Sequence, residues 1–400
     1  MGGTPFIVFG DDWGRNVSTL QHLFRRVVGE HPVLWINSIN HRLPRISWYD
    51  ARRAVEKVVA MARRPEEPAV DAGSAPVAVL TPRVLPWHHV GVVRALNRRS
   101  LVHDVRRAVE RQFAGERPVL VTGTPVIGDV VRELDALARI YFCMDDYAEL
   151  PGVDRALLAP LERAFVSEVD TVIATAQHLV DTRRPPSGRA FHLPQGVNHA
   201  HFSRRREIPG DLARLPRPRI GFAGGVSDGC DQEILLRLAD AVPEGSIVLV
   251  GPVTTDVARL ARPNIHLLGH RSYDELPAYV QHFDVGIINY VLNDWMRAVD
   301  PLKLLEYLSA GIPVVTTDLP EVHKYADQVR IARGTGEFVA QCLDAVRMRT
   351  ASADAARSAF AAGHTWESRA HTMLGWVAET CAAAGRGPFR RGPSASRPER

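Results

Sequence analysis

Short, nearly continuous apolar runs recur along the chain, and each is followed by a stretch of helical periodicity. In the first half the runs are Phe6–Phe9, Val33–Ile36, Val77–Leu80, Val119–Thr122, Ile140–Cys143 and Thr171–Ala174. In the second half they are Ile220–Ala223, Ile247–Val250, Ile265–Leu268, Val285–Ile288 and Pro313–Thr316. Strands that are apolar throughout, rather than alternating, are buried on both faces. Separated by helices, they predict parallel sheets. The pattern is α/β, and it predicts two Rossmann-like, doubly wound domains. The Arg- and Pro-rich piece 203–218 reads as a linker between a first domain over 1–202 and a second over 219–364. A helix is expected over 365–385, and the Arg, Gly, Pro and Ser residues of 386–400 read as a disordered tail.

In open parallel sheets ligands bind beyond the carboxyl ends of the strands. Two such sheets facing one another would make an interdomain cleft. The loops to inspect are therefore Gly10–Gly14, Met144–Tyr147, Gly224–Gly225, Gly251–Pro252, Gly269–Arg271 and Asn289–Tyr290.

The stretch Asp300–Pro320 carries the most specific chemistry. Pro301 suits a first helical turn, Gly311 suits its end, and Lys303 and Glu306 lie one turn apart near its start. A helix N-terminus bearing a lysine suits a phosphate. A carboxylate one turn further in can accept two hydroxyl hydrogen bonds from a ribose. Together they read as a nucleotide-diphosphate site. Upstream, Gly221-Phe-Ala-Gly-Gly225 is a glycine-rich strand-to-helix turn. It lacks the Walker lysine and the full dinucleotide fingerprint, which argues against both of those classes.

Composition narrows the field further. The 400 residues suffice for two domains, and 46% hydrophobic with 24% charged residues fits a soluble globular protein. No apolar run approaches the ~20 residues of a membrane span, and no signal peptide is evident. Cys143, Cys230, Cys342 and Cys381 are scattered without metal-like spacing and read as reduced thiols of a cytoplasmic protein.

Several segments in order carry a family resemblance: Gly221-Phe-Ala-Gly-Gly-Val-Ser, Leu249-Val-Gly-Pro, Asn264-Ile-His-Leu-Leu-Gly and Pro301-Leu-Lys-Leu-Leu-Glu-Tyr-Leu-Ser-Ala-Gly-Ile-Pro-Val-Val. They resemble the C-terminal half of GT-B glycosyltransferases of the large, mostly retaining nucleotide-sugar group. The nearest likeness is to bacterial enzymes of the teichuronic-acid-biosynthesis type. Pro194-Gln-Gly-Val-Asn198 with Phe202 is similar to that family's junction before the second domain. The resemblance covers most of 190–370 and implies a helix over 365–385 that crosses back to the first domain. It implies a donor site in which Glu306 holds the ribose, and Leu302 and Lys303 meet the diphosphate. Gly224, Gly225 and Gly251 would then give the backbone close approach, with Gly269, His270 and Tyr290 lining the same site. The donor is a nucleotide-sugar substrate, expected to be UDP-linked, and no cofactor is expected.

Two family features are absent. Ala298 stands where many retaining members carry the first of two paired glutamates, and no Arg or Lys occurs between Gly224 and Asp231. Some cation must still offset the leaving nucleotide, and Arg297 is the expected partner of Lys303. On the acceptor side, Asp145 and Asp146 are the candidate catalytic or acceptor-anchoring carboxylates, and Asp12 and Trp13 are candidates for shaping the acceptor pocket.

The aspartate pairs and the histidines His88, His89, His199 and His201 lack convincing metal spacing, so no essential metal is expected. Residues 92–113 read as a strongly basic amphipathic helix or helix pair with Arg94, Arg98, Arg99, Arg106, Arg107 and Arg111. It reads either as a solvated face or as a peripheral contact with anionic lipid at the inner face of a membrane. No base-reading pattern accompanies the charge, so nucleic acid is not an expected partner. The expected activity is transfer of a sugar to a glycan, lipid-linked or small-molecule acceptor. The alternatives are a GT-B sugar-nucleotide epimerase and a non-catalytic GT-B scaffold.

Overall fold

A computed structural model describes residues 2–15, 17–38, 77–82 and 91–392. His88 and His89 lie outside the described residues. The chain divides into two compact units, one of residues 1–193 with 370–400 and one of 194–369.

The first unit holds β1 (Phe6–Phe9), β2 (Val33–Ile36), β3 (Ala78–Leu80), β4 (Val119–Thr122), β5 (Ala138–Cys143), β6 (Thr171–Ala174) and β7 (Ala190–His192). They form one parallel sheet in the order β3-β2-β1-β4-β5-β6-β7. The strand order reverses between β1 and β4, so the loops after these two strands diverge and leave room for a ligand. Full burial of β1, β2, β4 and β6 explains why they read as unbroken apolar runs.

The second unit holds β8 (Arg219–Ala223), β9 (Ser246–Val250), β10 (Ile265–Gly269), β11 (Val285–Ile288), β12 (Val314–Thr317) and β13 (Arg330–Ala332). Their order is β10-β9-β8-β11-β12-β13, again all parallel, with the reversal between β8 and β11. Core side chains lie on both faces of this sheet. Phe222, Ile247 and Leu249 pack on one side, and Val248, Phe283, Leu304 and Tyr307 on the other.

Two expectations are corrected. Residues 203–218 are not a free linker but part of the second unit. Leu212 is buried in its core, and the Gln281 amide holds the Phe202 and Arg204 carbonyls, both at 2.7 Å. Residues 386–392 are not a free tail either. Arg386 makes a two-pronged ion pair with Asp170 at 2.7 and 3.0 Å, and Arg390 and Thr4 exchange hydrogen bonds at 2.8 and 2.6 Å. Residues 393–400 lie outside the described residues.

Candidate functional site

The helix Leu302–Ser309 starts beside the strand reversal of the second sheet. Pro301 is its N-cap rather than its first helical residue, and no side chain caps it, so the first amides remain available. Gly311 ends it with φ +76°, a conformation that costs a side chain dearly. Unlike an ordinary amphipathic helix, it is buried on every side from Lys303 to Ser309. Its two charged residues are therefore buried as well.

Lys303 reaches back across the C-terminal end of β8. Its ammonium lies 4.1 Å from the Phe222 ring centroid and 4.5 Å from that of Tyr290, and it donates to the Tyr290 hydroxyl. Two aromatic faces and a phenol oxygen replace part of its water shell. Gly224 makes room for it: a Cβ there would stand 2.7 Å from the Lys303 Nζ. Gly224 itself has φ +150°, and its amide donates to the Val250 carbonyl at 2.8 Å. Gly251 has φ +153°, and a Cβ there would sit 2.0 Å from the Gly224 carbonyl oxygen. Its amide donates to the Gly269 carbonyl at 2.9 Å. The three loops after β8, β9 and β10 are thus stitched together through glycines, leaving backbone rather than side chains at the strand ends. Gly225 is next in the first loop, with Pro252 the nearest neighbour to a Cβ, 3.9 Å away.

Glu306 lies one turn beyond Lys303 and is 7% exposed. Its carboxylate has no hydrogen-bond partner among the described residues. Burial pushes its pKa up to about 7, against the lowering pull of the Lys303 charge. A buried carboxylate with open lone pairs beside an uncapped helix start can accept hydrogen bonds from hydroxyl donors.

Other residues singled out from the sequence fall further from this cluster. Arg297 is in a short 3-10 turn, exposed, with its guanidinium 3.6 Å from Asp294. Ala298 is fully buried, so no polar group stands there. His270 is exposed, while Arg271 beside it is committed to Asp211 at 2.8 Å and to the Tyr279 hydroxyl at 2.7 Å. His199 and His201 are also committed, to the Ser358 hydroxyl at 3.1 Å and the Tyr273 carbonyl at 3.0 Å. Sequence reasoning missed the Phe222 face under Lys303. It also missed Asp300, whose buried carboxylate accepts from the Gln195 amide at 2.9 Å and pairs with Lys324 at 2.8 Å. That contact anchors the residue preceding Pro301 and so fixes where the helix begins.

In the first unit the loops after β1, β4 and β5 converge. The Tyr147 hydroxyl donates to the Gly123 carbonyl, and both Asp11 and Asp145 bear electrostatically on that buried phenol. Asp146 is sunk in a buried ion pair with Arg183 at 2.6 Å, and Arg183 also reaches Glu162 at 3.3 Å. Asp145 is only half-buried. Trp13 is half-exposed, its amide held by Asn37 Oδ1 at 3.0 Å and its ring edge-on to Trp35 at 4.7 Å. Asp12 lies 3.9 Å from Arg15, and its carbonyl accepts from Gln21 at 3.1 Å. Asp11, in the same loop, accepts from Ser18 at 2.8 Å, and burial raises its pKa.

Among the described residues no group of three or more metal-ligating side chains converges, and no helix is long and apolar enough to cross a membrane. On the helix Gly91–Phe113, Arg94 pairs with Asp129 at 3.0 Å and Arg98 with Glu133 at 3.2 Å, while Arg99, Arg106, Arg107 and Arg111 are exposed.

Residues 231–375 match the Glycosyl transferase-like family. A Bacillus subtilis (strain 168) protein, TuaH, named provisionally as a teichuronic acid biosynthesis glycosyltransferase, is 30% identical over 204 residues. That alignment spans 46% of this chain and 51% of the relative, about half the length of each. Among solved structures, sucrose-phosphate synthase from Thermosynechococcus elongatus superposes with a TM-score of 0.66 at 14% identity, over 95% of this chain and all of that one. Anabaena Alr3699/HepE in complex with UDP-glucose superposes with a TM-score of 0.63 at 12% identity, over 94% of this chain and all of that one. At these identities the likeness is one of fold, and the fold is GT-B.

Proposed function

We propose that this chain is a glycosyltransferase that moves a sugar from a nucleotide diphosphate sugar, UDP-linked, to an acceptor held by the first unit. The observation that carries this reading is the pairing on one helix of a caged Lys303 with a buried, unpartnered Glu306. Glu306 would accept the two ribose hydroxyls. The open amides at Leu302 and the Lys303 ammonium would meet the diphosphate, and Gly224, Gly225 and Gly251 would let its oxygens approach the backbone. As the sugar–phosphate bond breaks, charge grows on the departing diphosphate. Lys303 and the helix dipole would stabilise it without a metal. Arg297 could join them only by leaving Asp294. The loop Gly269–His270 would pack against the base.

The matched family and the UDP-glucose complex of HepE support this donor. The family resemblance favours retention of configuration, in which Asp145 positions the acceptor and a donor phosphate oxygen takes the proton. Burial of Asp146 against Arg183 leaves this role to Asp145. We place the reaction in the cytoplasm, where the four buried free cysteines stay reduced. The exposed arginines of the helix Gly91–Phe113, beside Val92 and Leu96, suit a peripheral contact with anionic lipid.

Calorimetric titration with UDP, GDP and dTDP, without metal, tests the donor site. Selective UDP binding lost in Glu306→Ala is the expected result. Selectivity for GDP or dTDP would keep the mechanism and change the donor. No binding of any of the three would overturn the transferase reading in favour of a non-catalytic scaffold.

A further inference from the structure

A buried charge is ordinarily paired with an opposite one. Lys303 is only 9% exposed, yet among the described residues no carboxylate oxygen lies within ion-pair distance of it. What holds it instead is the pair of rings described above, Phe222 and Tyr290. The Tyr290 hydroxyl accepts one hydrogen bond from the ammonium and leaves its other donors for a ligand.

Both rings stand on fixed backbone. Phe222 is fully buried in β8. Just beyond it β8 parts from β11, their pairing ending at Gly221 and Gly286, and the Ala223 amide turns to the Tyr307 hydroxyl at 2.7 Å. Tyr307 belongs to the same helix as Lys303, so the strand end and the helix are pinned to one another. The Tyr290 carbonyl accepts from the Thr317 hydroxyl at 2.8 Å, and its backbone is bridged to Cys230. The two rings meet edge-on with centroids 6.2 Å apart. On a third side Gly224 offers backbone alone, since a Cβ there would also stand 3.0 Å from the Lys303 Cε.

The choice of rings has a consequence for charge. A carboxylate in place of either ring would hold the ammonium, but it would cancel the positive charge and repel an incoming phosphate. An aromatic face attracts a cation through its quadrupole and carries no net charge. Lys303 is thereby oriented with its charge unspent. Other cations are scarce here: Gly224–Asp231 contains no Arg or Lys, and Arg297 faces Asp294.

We propose that Phe222 and Tyr290 are positioning residues for the donor's diphosphate, acting through Lys303: their faces aim its ammonium at the phosphate oxygens and leave its charge uncompensated until the donor binds. This role rests on the nucleotide-diphosphate reading above and assigns the residues that let a single lysine serve it.

The test is a double-mutant cycle on the full chain. It is read by calorimetric titration with UDP and by saturation-transfer NMR with uridine, which lacks the diphosphate. Phe222→Leu and Tyr290→Leu should each weaken UDP binding about tenfold, and Tyr290→Phe, which keeps a ring, about threefold at most. Uridine affinity should stay within about twofold in all of them. In a Lys303→Met background, which keeps the stem and removes the charge, the same changes should leave UDP affinity unaltered. Tyr290 is only half-buried, so its two variants complete the cycle even if Phe222→Leu does not fold. UDP binding indifferent to the loss of either ring would overturn the proposal. So would uridine binding weakened as much as UDP binding, or ring changes that cost as much in the Lys303→Met background as in the parent. A parent that binds UDP no more tightly than uridine would strike the diphosphate reading and the proposal with it. A preference for UDP lost in Lys303→Met but kept in the ring variants would strike the proposal alone.

Discussion

Glu306 is a carboxylate whose ordinary charge is opposed by its surroundings, and that opposition has two measurable consequences. Its pKa in the fold is about 7, raised by burial from the usual 4.5. Between those values the folded chain holds a proton that the unfolded chain has lost. Stability from this residue is therefore present below the unfolded pKa and falls as pH rises through the folded one. Ribose hydroxyls, by contrast, need the ionised form as their acceptor. UDP affinity should therefore rise from pH 6 to pH 8 as Glu306 ionises, by roughly tenfold, following its titration. Glu306→Gln should bind UDP about tenfold to a hundredfold more weakly at pH 8, since two hydrogen bonds lose their charged partner. The same variant should melt higher than the parent at pH 8 without ligand. Calorimetry and thermal unfolding across this range check both effects. An affinity in the parent that does not change with pH would remove Glu306 from the ribose.

At the scale of elements, the site depends on loops that approach one another more closely than side chains allow. Gly251 has φ +153° and no space for a Cβ beside the Gly224 carbonyl. Gly251→Ala should therefore destabilise the second unit by about 2 kcal/mol or more and weaken UDP binding as the Gly224 loop is pushed aside. Urea unfolding gives the first and titration the second. Gly269→Ala, with φ +74° but open space around it, should cost less. Much of this architecture was legible in the sequence, because strands buried on both faces must be apolar throughout. The strands that left no signal, β7 and β13, are three-residue edges with partly exposed side chains. Their sequences, Ala-Phe-His and Arg-Ile-Ala, are set by their single neighbouring strand rather than by a core on both sides. The helix Leu302–Ser309 and its two charged residues were legible because lysine and glutamate in an otherwise apolar helix demand an explanation. The commitment of Asp146 to Arg183 was not, since the partner lies 37 residues away and nothing local marks it. The membership of 203–218 in the second unit was hidden in a similar way, its arginines outweighing the single buried Leu212 in composition.

For the whole molecule, the chain's return to its own beginning is the feature with most at stake. After the helix Trp366–Ala384, residues 386–392 run back along the first unit to the segment entering β1. Phe389 stacks on His31 with ring centroids 5.3 Å apart and meets Phe6 edge-on at 6.2 Å. His31 Nδ1 lies 2.9 Å from the Thr4 carbonyl, and burial lowers its pKa below the usual 6.5. The unfolded chain thus takes up a proton near pH 6.5 that the folded chain resists. Stability of the first unit should fall as pH drops below that value. Removing residues 386–400 deletes the half-buried Arg386–Asp170 pair, the Thr4 backbone bonds and the Phe389 cover. A loss of about 2–3 kcal/mol is expected at pH 7.5. It should also admit water to His31, so the truncated chain should lose less further stability between pH 7.5 and 5.5 than the full chain does. UDP affinity should not change, because Lys303 and Glu306 belong to the other unit. Urea unfolding of both chains at the two pH values, with UDP titration alongside, decides it. Equal midpoints at pH 7.5 would mean that the returning segment lies on the first unit without supporting it.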